Sequence, residues 1–140
     1  MKQRQSGVLM HISSLPGKYG IGSMGQAAYD FVDFLVRTKQ RYWQILPLGT
    51  TSYGDSPYQS FSAFAGNTHF IDFDILVEKG WLQLEDLQGI DFGQNPVEVD
   101  YAAIFQARRP LLEKVVANIK AQGLPAEYGI FLTENDFWIH

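Results

Sequence analysis

The sequence predicts an α/β fold with a parallel sheet, and three observations lead to this prediction. An apolar run at residues 7–12 is followed by an amphipathic pattern at residues 24–39 and by a second, nearly continuous apolar run at residues 41–48. Short apolar runs are typical of strands that are covered on both faces, and the order strand, helix, strand forms a right-handed βαβ unit. Because 46% of the 140 residues are hydrophobic, the chain is too apolar to be disordered.

Composition excludes several classes of function. The net charge of -4 is spread along the chain without a basic run, which argues against a nucleic-acid surface. The chain has no cysteine, and His11, His69 and His140 are too scattered to form a metal site, so we expect no disulfide and no metal. No segment approaches the roughly 20 apolar residues of a membrane span, and the N-terminus lacks a secretory signal. We therefore expect no membrane partner and a cytoplasmic location.

Three glycines raise the question of a dinucleotide site. Gly20, Gly22 and Gly25 stand in G-x-G-x-x-G order before the predicted helix. However, the insert "SSLPGKY" separates them from the first strand, and the second strand ends in "LPLG" where the fingerprint needs an acidic residue. Ser23 and Gln26 have the spacing of a capping box, which would begin the helix. We interpret the glycines as shaping the entry to the helix, and we expect no NAD and no other cofactor.

The loop at residues 49–69 is the strongest candidate for a binding site. It follows the second predicted strand, so it lies at the carboxyl edge of the sheet, where α/β folds place their sites. Tyr53 and Tyr58 stand among polar neighbours, and such rings suit a sugar, which offers an apolar face and a rim of hydroxyl groups. The alternative is that the aromatic residues of the loop, Phe61 and Phe64 among them, only fill the core.

The segment that follows the loop predicts a short strand at residues 69–76. On a strand, Asp72 and Asp74 would share one face, and we interpret them as solvent-facing acids rather than as a catalytic pair. Residues 78–99 predict an irregular insertion, because they hold three glycines and a proline without a clear period.

The last third of the chain predicts two helices. Asp100 is the expected cap of a long helix from residue 101 to about residue 122, in which Pro110 predicts a kink. Gly123 and Pro125 end this helix, and the spacing of apolar residues after them predicts a second helix that runs toward residue 140.

Two long runs resemble a known family. "HISSLPGKYGIGSMG" and "RYWQILPLGTTSYGDSPYQSFSAFAGN" closely resemble the N-terminal part of the bacterial amylomaltases, the 4-alpha-glucanotransferases or disproportionating enzymes of glycoside hydrolase family 77. The resemblance is strongest over residues 7–80 and looser beyond them. Members of the family are much longer than 140 residues, so the resemblance implies that this chain is an N-terminal fragment.

The resemblance implies a fold and a domain organisation. Residues 1–76 would form the first βα units of a (β/α)8 TIM barrel, with the glucan-binding loop at residues 49–69. Residues 77–140 would belong to an inserted, mostly helical subdomain that is truncated at its C-terminal end.

The resemblance also implies an activity. Members of the family transfer α-1,4-glucan segments between maltooligosaccharides by a retaining double displacement, which uses an aspartate nucleophile and a glutamic acid. These acids would follow His140, so we assign no catalytic residue here and expect the 140-residue chain to be inactive. A glucan-binding module without catalysis is the alternative. The sequence leaves the oligomeric state open.

Three residues are implied to bind substrate. Tyr58, in the "SPY" motif, matches the family residue that stacks beside the sugar at the scissile bond, and Ser56 matches a nearby hydroxyl group. Tyr53 matches an aromatic residue that forms a second, remote glucan groove in some members. Its partner ring would fall at Phe105, where members often have tyrosine.

Two further residues have more than one interpretation. Asp55 is interpreted as a carboxylate that organises the loop by accepting backbone hydrogen bonds, rather than as an acid of the reaction. His11 lies at the end of the first predicted strand, where it could approach the floor of the site. The alternative for His11, which we prefer, is a buried and hydrogen-bonded side chain.

Overall fold

The computed structural model describes residues 4–51 and 54–139. The regular elements, in chain order, are strand β1 (Gly7–Leu9), helix α1 (Gln26–Arg37), strand β2 (Tyr42–Gln44) and helices α2 (Phe73–Glu78), α3 (Tyr101–Gln122) and α4 (Ala126–Ile139). Short 3-10 turns occur at Ile12–Ser14, Thr68–Phe70 and Leu84–Leu87.

The predicted βαβ unit is present. β1 pairs in parallel with β2, with Gly7 opposite Tyr42 and Leu9 opposite Gln44, and α1 connects the two strands. Both strands are shorter than the apolar runs predicted. Beyond β2 the backbone N–H of Leu46 donates a hydrogen bond to the side chain of His11 and not to the backbone of the neighbouring strand, so regular strand pairing ends there.

The core consists of two clusters of buried side chains. The first contains Ile12, Leu15, Ile21, Ala28, Phe70 and Ile104, and the second contains Phe73, Leu76, Leu82, Phe92, Leu111 and Val115. α3 contributes to both clusters, through Ile104 to the first and through Leu111 and Val115 to the second. The long helix therefore holds the N-terminal βα unit and the segment around α2 together.

Both C-terminal helices agree with the sequence prediction. The Asp100 carboxylate accepts a hydrogen bond of 2.9 Å from the backbone N–H of Ala103, which is the geometry of a helix cap. α3 then continues past Pro110 to Gln122 and ends at Gly123, whose φ of 101° is accessible mainly to glycine. α4 occupies most of the segment that we expected to be helical.

The predicted strand at residues 69–76 is wrong. A 3-10 turn and α2 occupy this segment, because the Asp72 side chain accepts a hydrogen bond of 3.2 Å from the backbone N–H of Ile75 and so caps a helix. Phe73 and Leu76, three residues apart, then point into the core. Asp74 lies on α2, where its carboxylate accepts hydrogen bonds from Lys18 and Tyr19.

The predicted capping box at the start of α1 is also wrong. The residue that caps α1 is Gly25, and no side chain caps it. The Ser23 hydroxyl donates to the carboxylate of Asp72, and the Gln26 amide donates to Asp30 at 2.8 Å. Each polar side chain therefore has a different partner from the one that local spacing predicts.

The three glycines are explained by close packing. A Cβ atom would lie 2.0 Å from the carbonyl oxygen of Phe92 at Gly20, 2.0 Å from that of Ile12 at Gly22, and 2.1 Å from a carboxylate oxygen of Asp72 at Gly25. At Gly20 and Gly22 the neighbour is backbone, so a side chain does not fit unless the chain itself moves, and at Gly25 the carboxylate of Asp72 would have to move. This packing supports the interpretation that the glycines shape the entry to α1.

The division into residues 1–76 and 77–140 stays a prediction. α2 crosses it, since this helix extends from Phe73 to Glu78.

Candidate functional site

A groove of about 1280 Å³ lies between the loop at residues 49–69 and one face of α3, from Tyr101 to Val116. Its lining includes Asp55, Phe61, His69, Tyr101, Phe105 and Arg109. The loop, the turn after it and α3 each contribute, so residues far apart in the sequence face the same space.

The loop is closed at its base by backbone contacts. Gly49 forms an antiparallel bridge with Gly66, Thr51 forms another with Ser60, and the N–H of Asn67 donates to the carbonyl oxygen of Leu48 at 2.8 Å. These contacts bring the two ends of the loop together. The described part of this long segment is therefore tied at its base, although it contains neither a helix nor a strand.

Two of the three predicted substrate-binding residues lie in one turn of this loop. The backbone N–H of Tyr58 approaches the hydroxyl oxygen of Ser56 at 3.4 Å, with Pro57 between them. The Tyr58 side chain is 72% exposed, so its ring is available for stacking rather than packed in the core. Tyr53, the third residue, lies outside the described residues.

Phe61 and Phe64 do not fill the core. They are 83% and 59% exposed, which contradicts the alternative that these rings serve only for packing inside the molecule. Phe61 lines the groove. Phe64 instead contacts α4, with its centroid 5.2 Å from that of Phe137 and 5.9 Å from that of Trp138, so it joins the loop to the last helix.

Asp55 links the loop electrostatically to two other segments. Its φ of 53° is in the left-handed region, which aspartate tolerates better than most residues. Burial raises the pKa of Tyr101, and the negative charge of Asp55 raises it further, whereas a hydrogen bond with Ser13 lowers it. Burial and the charge of Arg108 lower the pKa of His69, and the charge of Asp55 opposes them. The backbone hydrogen bonds expected of Asp55 stay a prediction.

Arg108 is a structural residue that the sequence analysis missed. Its side chain is 1% exposed, its guanidinium donates to the carbonyl oxygens of Ile71 and Tyr19, and it lies 4.2 Å from the ring centroid of Phe73. Burial lowers the pKa of Arg108 to about 10, although the charge of Asp72 opposes this shift. The guanidinium thus connects α3 with the segment that contains Tyr19 and with the segment that contains Ile71.

A signal for Arg108 was present in the sequence. Ile104, Arg108, Leu111 and Val115 recur at steps of four, three and four, which places the arginine on the apolar side of α3. A single charge on an apolar helix face needs partners when it is buried. Most partners of Arg108 are backbone carbonyl groups. The sequence does not indicate which carbonyl groups these are, because the fold brings them together.

His11 lies where both strands end. Its ring is partly buried, its Nδ1 accepts a hydrogen bond of 3.3 Å from the backbone N–H of Leu46, and its edge meets the ring of Phe70 at a centroid distance of 5.3 Å. Burial lowers the pKa of His11. The preferred interpretation, a hydrogen-bonded side chain, agrees with this geometry, although the ring is only partly buried.

Residues 4–51 and 54–139 contain neither a metal-binding cluster nor a membrane-spanning helix. Among these residues, no three His, Asp or Glu side chains are grouped so that they could hold a metal ion. In the same part of the chain, each helix is either too short or too polar to cross a membrane.

Comparisons with known proteins identify the family. Residues 10–140 match the model of glycoside hydrolase family 77, described as 4-alpha-glucanotransferase. A 4-alpha-glucanotransferase of Streptococcus pneumoniae serotype 4 is 71% identical over 139 residues, covering 99% of this chain and 28% of the relative. A Thermus thermophilus 4-alpha-glucanotransferase is 45% identical over 137 residues, covering 96% of this chain and 26% of the relative.

A solved structure agrees with these relatives. The amylomaltase of Streptococcus agalactiae in complex with acarbose superimposes with a TM-score of 0.90 at 58% sequence identity, over 96% of this chain and 28% of that one. The chain thus spans little more than a quarter of the length of the proteins it matches. Because the family match covers nearly all of its residues, the chain belongs to the 4-alpha-glucanotransferase family, glycoside hydrolase family 77.

Proposed function

We propose that this chain is the N-terminal part of a 4-alpha-glucanotransferase that transfers α-1,4-glucan segments between maltooligosaccharides by a retaining double displacement. The observation that carries the proposal is the 71% identity over 139 residues with the Streptococcus pneumoniae enzyme. The solved amylomaltase that it resembles was captured with acarbose, which supports a sugar as the ligand. The cytoplasmic location stays a prediction.

In this proposal the chain supplies one wall of the substrate cleft. Tyr58 offers an exposed ring on which the apolar face of a pyranose can stack, and the hydroxyl group of Ser56 lies close enough to bond a sugar hydroxyl beside it. Stacking and hydrogen bonding together fix the position of the sugar ring. This wall therefore orients the glucan for reaction with groups that the rest of the enzyme supplies.

The catalytic acids belong, in the proposal, to the part of the enzyme that follows residue 140. Retaining transfer needs a carboxylate nucleophile and an acid about 5 Å apart across one sugar. The remaining strands would complete a (β/α)8 barrel, in which residues at the carboxyl ends of several strands share one site. β1 and β2 would be two of these strands, and residues 77–140 would belong to a mostly helical insertion. No cofactor takes part in this reaction.

The groove beside α3 is proposed as a second glucan site. The ring of Phe105 lines it and is 55% exposed, and Phe61 lines the same space from the loop. Two aromatic rings that border an open groove suit the apolar faces of a glucan chain. Tyr53, the partner that the family resemblance implies for Phe105, lies outside the described residues.

The alternative function is a glucan-binding module without catalysis. Exposed aromatic rings alone agree equally well with either function. The relatives favour the enzyme, because the proteins that match nearly the whole chain are named 4-alpha-glucanotransferases.

The proposal is tested with a chimeric protein, called the joined enzyme below. Its residues 1–140 are those of this chain, and they are followed by the C-terminal part of the Streptococcus pneumoniae enzyme, beginning where the match between the two sequences ends. We expect the joined enzyme to convert maltotriose into glucose and longer glucans, which chromatography separates. A joined enzyme that folds and binds maltotriose without forming products would favour the binding module, and one that folds but does neither would contradict the proposal.

A further inference from the structure

The two parallel strands end beside one histidine. β1 ends at Leu9, two residues before His11, and β2 ends at Gln44, two residues before Leu46. The backbone N–H of Leu46 donates to Nδ1 of His11 at 3.3 Å. The ring of His11 therefore lies at the carboxyl edge of the sheet, across the ends of both strands.

This hydrogen bond determines the tautomer of the ring. A nitrogen that accepts a hydrogen bond carries no proton, so a neutral His11 must carry its proton on Nε2. Burial lowers the pKa of His11 from its usual 6.5, so the ring is neutral at pH 7. The other ring nitrogen, Nε2, is then a hydrogen-bond donor.

The ring is also fixed in its orientation. Its plane makes an angle of 84° with that of Phe70, at a centroid distance of 5.3 Å, and Phe70 is itself buried in the first core cluster. A donor that is held by both a backbone bond and a core ring loses little conformational entropy when it binds.

The position of this donor connects it with the substrate. Parallel α/β folds place their ligands at the carboxyl ends of the strands, and the loop that carries Ser56 and Tyr58 begins three residues after Leu46. A partly buried donor at the root of that loop therefore lies at the edge of the sheet where this class of fold places a substrate.

We propose that His11 is a substrate-binding residue, whose Nε2–H donates a hydrogen bond to a hydroxyl oxygen of the glucan at the floor of the cleft. This inference rests on the proposed function. The competing role is a purely structural tie, in which His11 only joins the two strand ends through Leu46.

Two conservative variants of the joined enzyme separate these roles. In His11→Asn the amide oxygen can take the place of Nδ1 and keep the bond to Leu46, but the donor at Nε2 is lost. In His11→Gln the longer side chain can place an N–H group near Nε2, whereas the bond to Leu46 is lost. His11→Ala removes both groups.

We expect His11→Asn to keep the Tm of the parent and to lower kcat/KM for maltotriose about tenfold, the effect of one uncharged hydrogen bond. The affinity for acarbose, measured by calorimetry, should fall in parallel. His11→Gln should retain more activity than His11→Asn. If His11→Asn fails to fold, a clear gain of His11→Gln over His11→Ala supports the proposal.

Two results would overturn the inference. One is parent kcat/KM and parent acarbose affinity in His11→Asn, which would show that the tie to Leu46 is the whole role of the residue. The other is activity in His11→Gln no higher than in His11→Ala. A failure of the proposed function is distinguishable from both, because the parent joined enzyme would then form no products from maltotriose.

Discussion

The hydroxyl group of Ser23 donates a hydrogen bond to the carboxylate of Asp72, across 49 residues of sequence. The same carboxylate caps α2 and lies against Gly25, the N-cap residue of α1. One side chain thus connects the N-termini of two helices. Asp72, which the sequence suggested as one of two solvent-facing acids, is an organising residue of the fold.

The contact between Asp72 and Gly25 predicts a large effect of Gly25→Ala. The new Cβ atom would lie 2.1 Å from Oδ2 of Asp72, which accepts from Ser23, while Oδ1 of the same carboxylate accepts from Ile75. The carboxylate must therefore move, which weakens both bonds. We expect a loss of about 1–3 kcal/mol of stability, seen as a Tm of the joined enzyme that is lower by about 1–3 °C.

A matched control is Gly129→Ala, in α4. A Cβ atom at Gly129 meets no atom within 4 Å, and alanine is the better helix former, so its Tm should be equal to that of the parent or slightly higher. Equal Tm values for Gly25→Ala and the parent would show that the Asp72 carboxylate moves aside at no cost.

The same carboxylate predicts that nucleotides do not bind at the glycines. In a dinucleotide fold the N-terminus of the helix is left open for a pyrophosphate, whereas here Asp72 already lies against the first residue of α1. Millimolar NAD or ATP should therefore leave the Tm of the joined enzyme unchanged. A dose-dependent rise in Tm that Gly25→Ala abolishes would identify these glycines as a nucleotide site.

Local patterns correctly predicted α1, α3, α4 and the βαβ unit. The amphipathic period of α1 and the helix cap at Asp100 depend only on residues that are close together in the sequence, so the sequence alone reveals them. The prediction of a strand at residues 69–76 was wrong because Asp72 and Asp74 alternate with apolar residues, as the residues on one face of a strand do. The helical spacing of Phe73 and Leu76, together with the cap at Asp72, was the stronger signal.

Long-range contacts account for what the sequence could not predict. Ser23 had a plausible local partner in Gln26 but bonds Asp72 instead, 49 residues away. Arg108 depends on carbonyl oxygens of Ile71 and Tyr19, which no local pattern identifies. For the site, the family resemblance named Ser56, Tyr58 and Phe105, whereas the turn that holds the first two and the other residues that line the groove with α3 became visible only in the fold.

The proposed wall of the cleft predicts the effect of removing its ring. In the joined enzyme, Tyr58→Ala removes a stacking face that matters more as the sugar flattens toward the transition state. We expect kcat/KM for maltotriose to fall about tenfold to a thousandfold, or about 1.4 to 4 kcal/mol, and Tyr58→Phe to lose less.

The control for this prediction is Tyr29→Ala, which removes another exposed tyrosine, on α1. Its kcat/KM should remain that of the parent. Should Tyr58→Ala convert maltotriose as fast as Tyr29→Ala, the ring of Tyr58 has no part in binding the sugar.

The lowered pKa of His69 predicts that the stability of the protein depends on pH. Burial and the charge of Arg108 lower its pKa in the folded protein, while an unfolded chain has the ordinary value of 6.5. Below about pH 6.5 the unfolded state therefore binds more protons than the folded state, so the free energy of unfolding decreases as the pH falls. In His69→Gln, the loss of Tm between about pH 7 and about pH 5 should be smaller than in the parent.

Measuring the Tm of the parent and of His69→Gln at each pH separates the contribution of His69 from those of the other titrating groups. His11 contributes in the same direction, because burial lowers its pKa as well, and it is present in both proteins. Parallel curves for parent and variant over this range would mean that His69 takes up its proton as readily in the folded protein as in the unfolded chain.

The central claim is that residues 1–140 form a wall of a glucan cleft whose catalytic acids lie elsewhere in the enzyme. The most direct measurement is incubation of the purified 140-residue chain with maltotriose, beside the joined enzyme and a mock purification, followed by chromatography for glucose and longer glucans. We predict products from the joined enzyme and only the mock background from the chain, because retaining transfer needs two carboxyl groups that this account places after residue 140. Products from the chain above that background would contradict the account, since carboxylates within it, such as Asp55 or Asp72, would then perform the reaction.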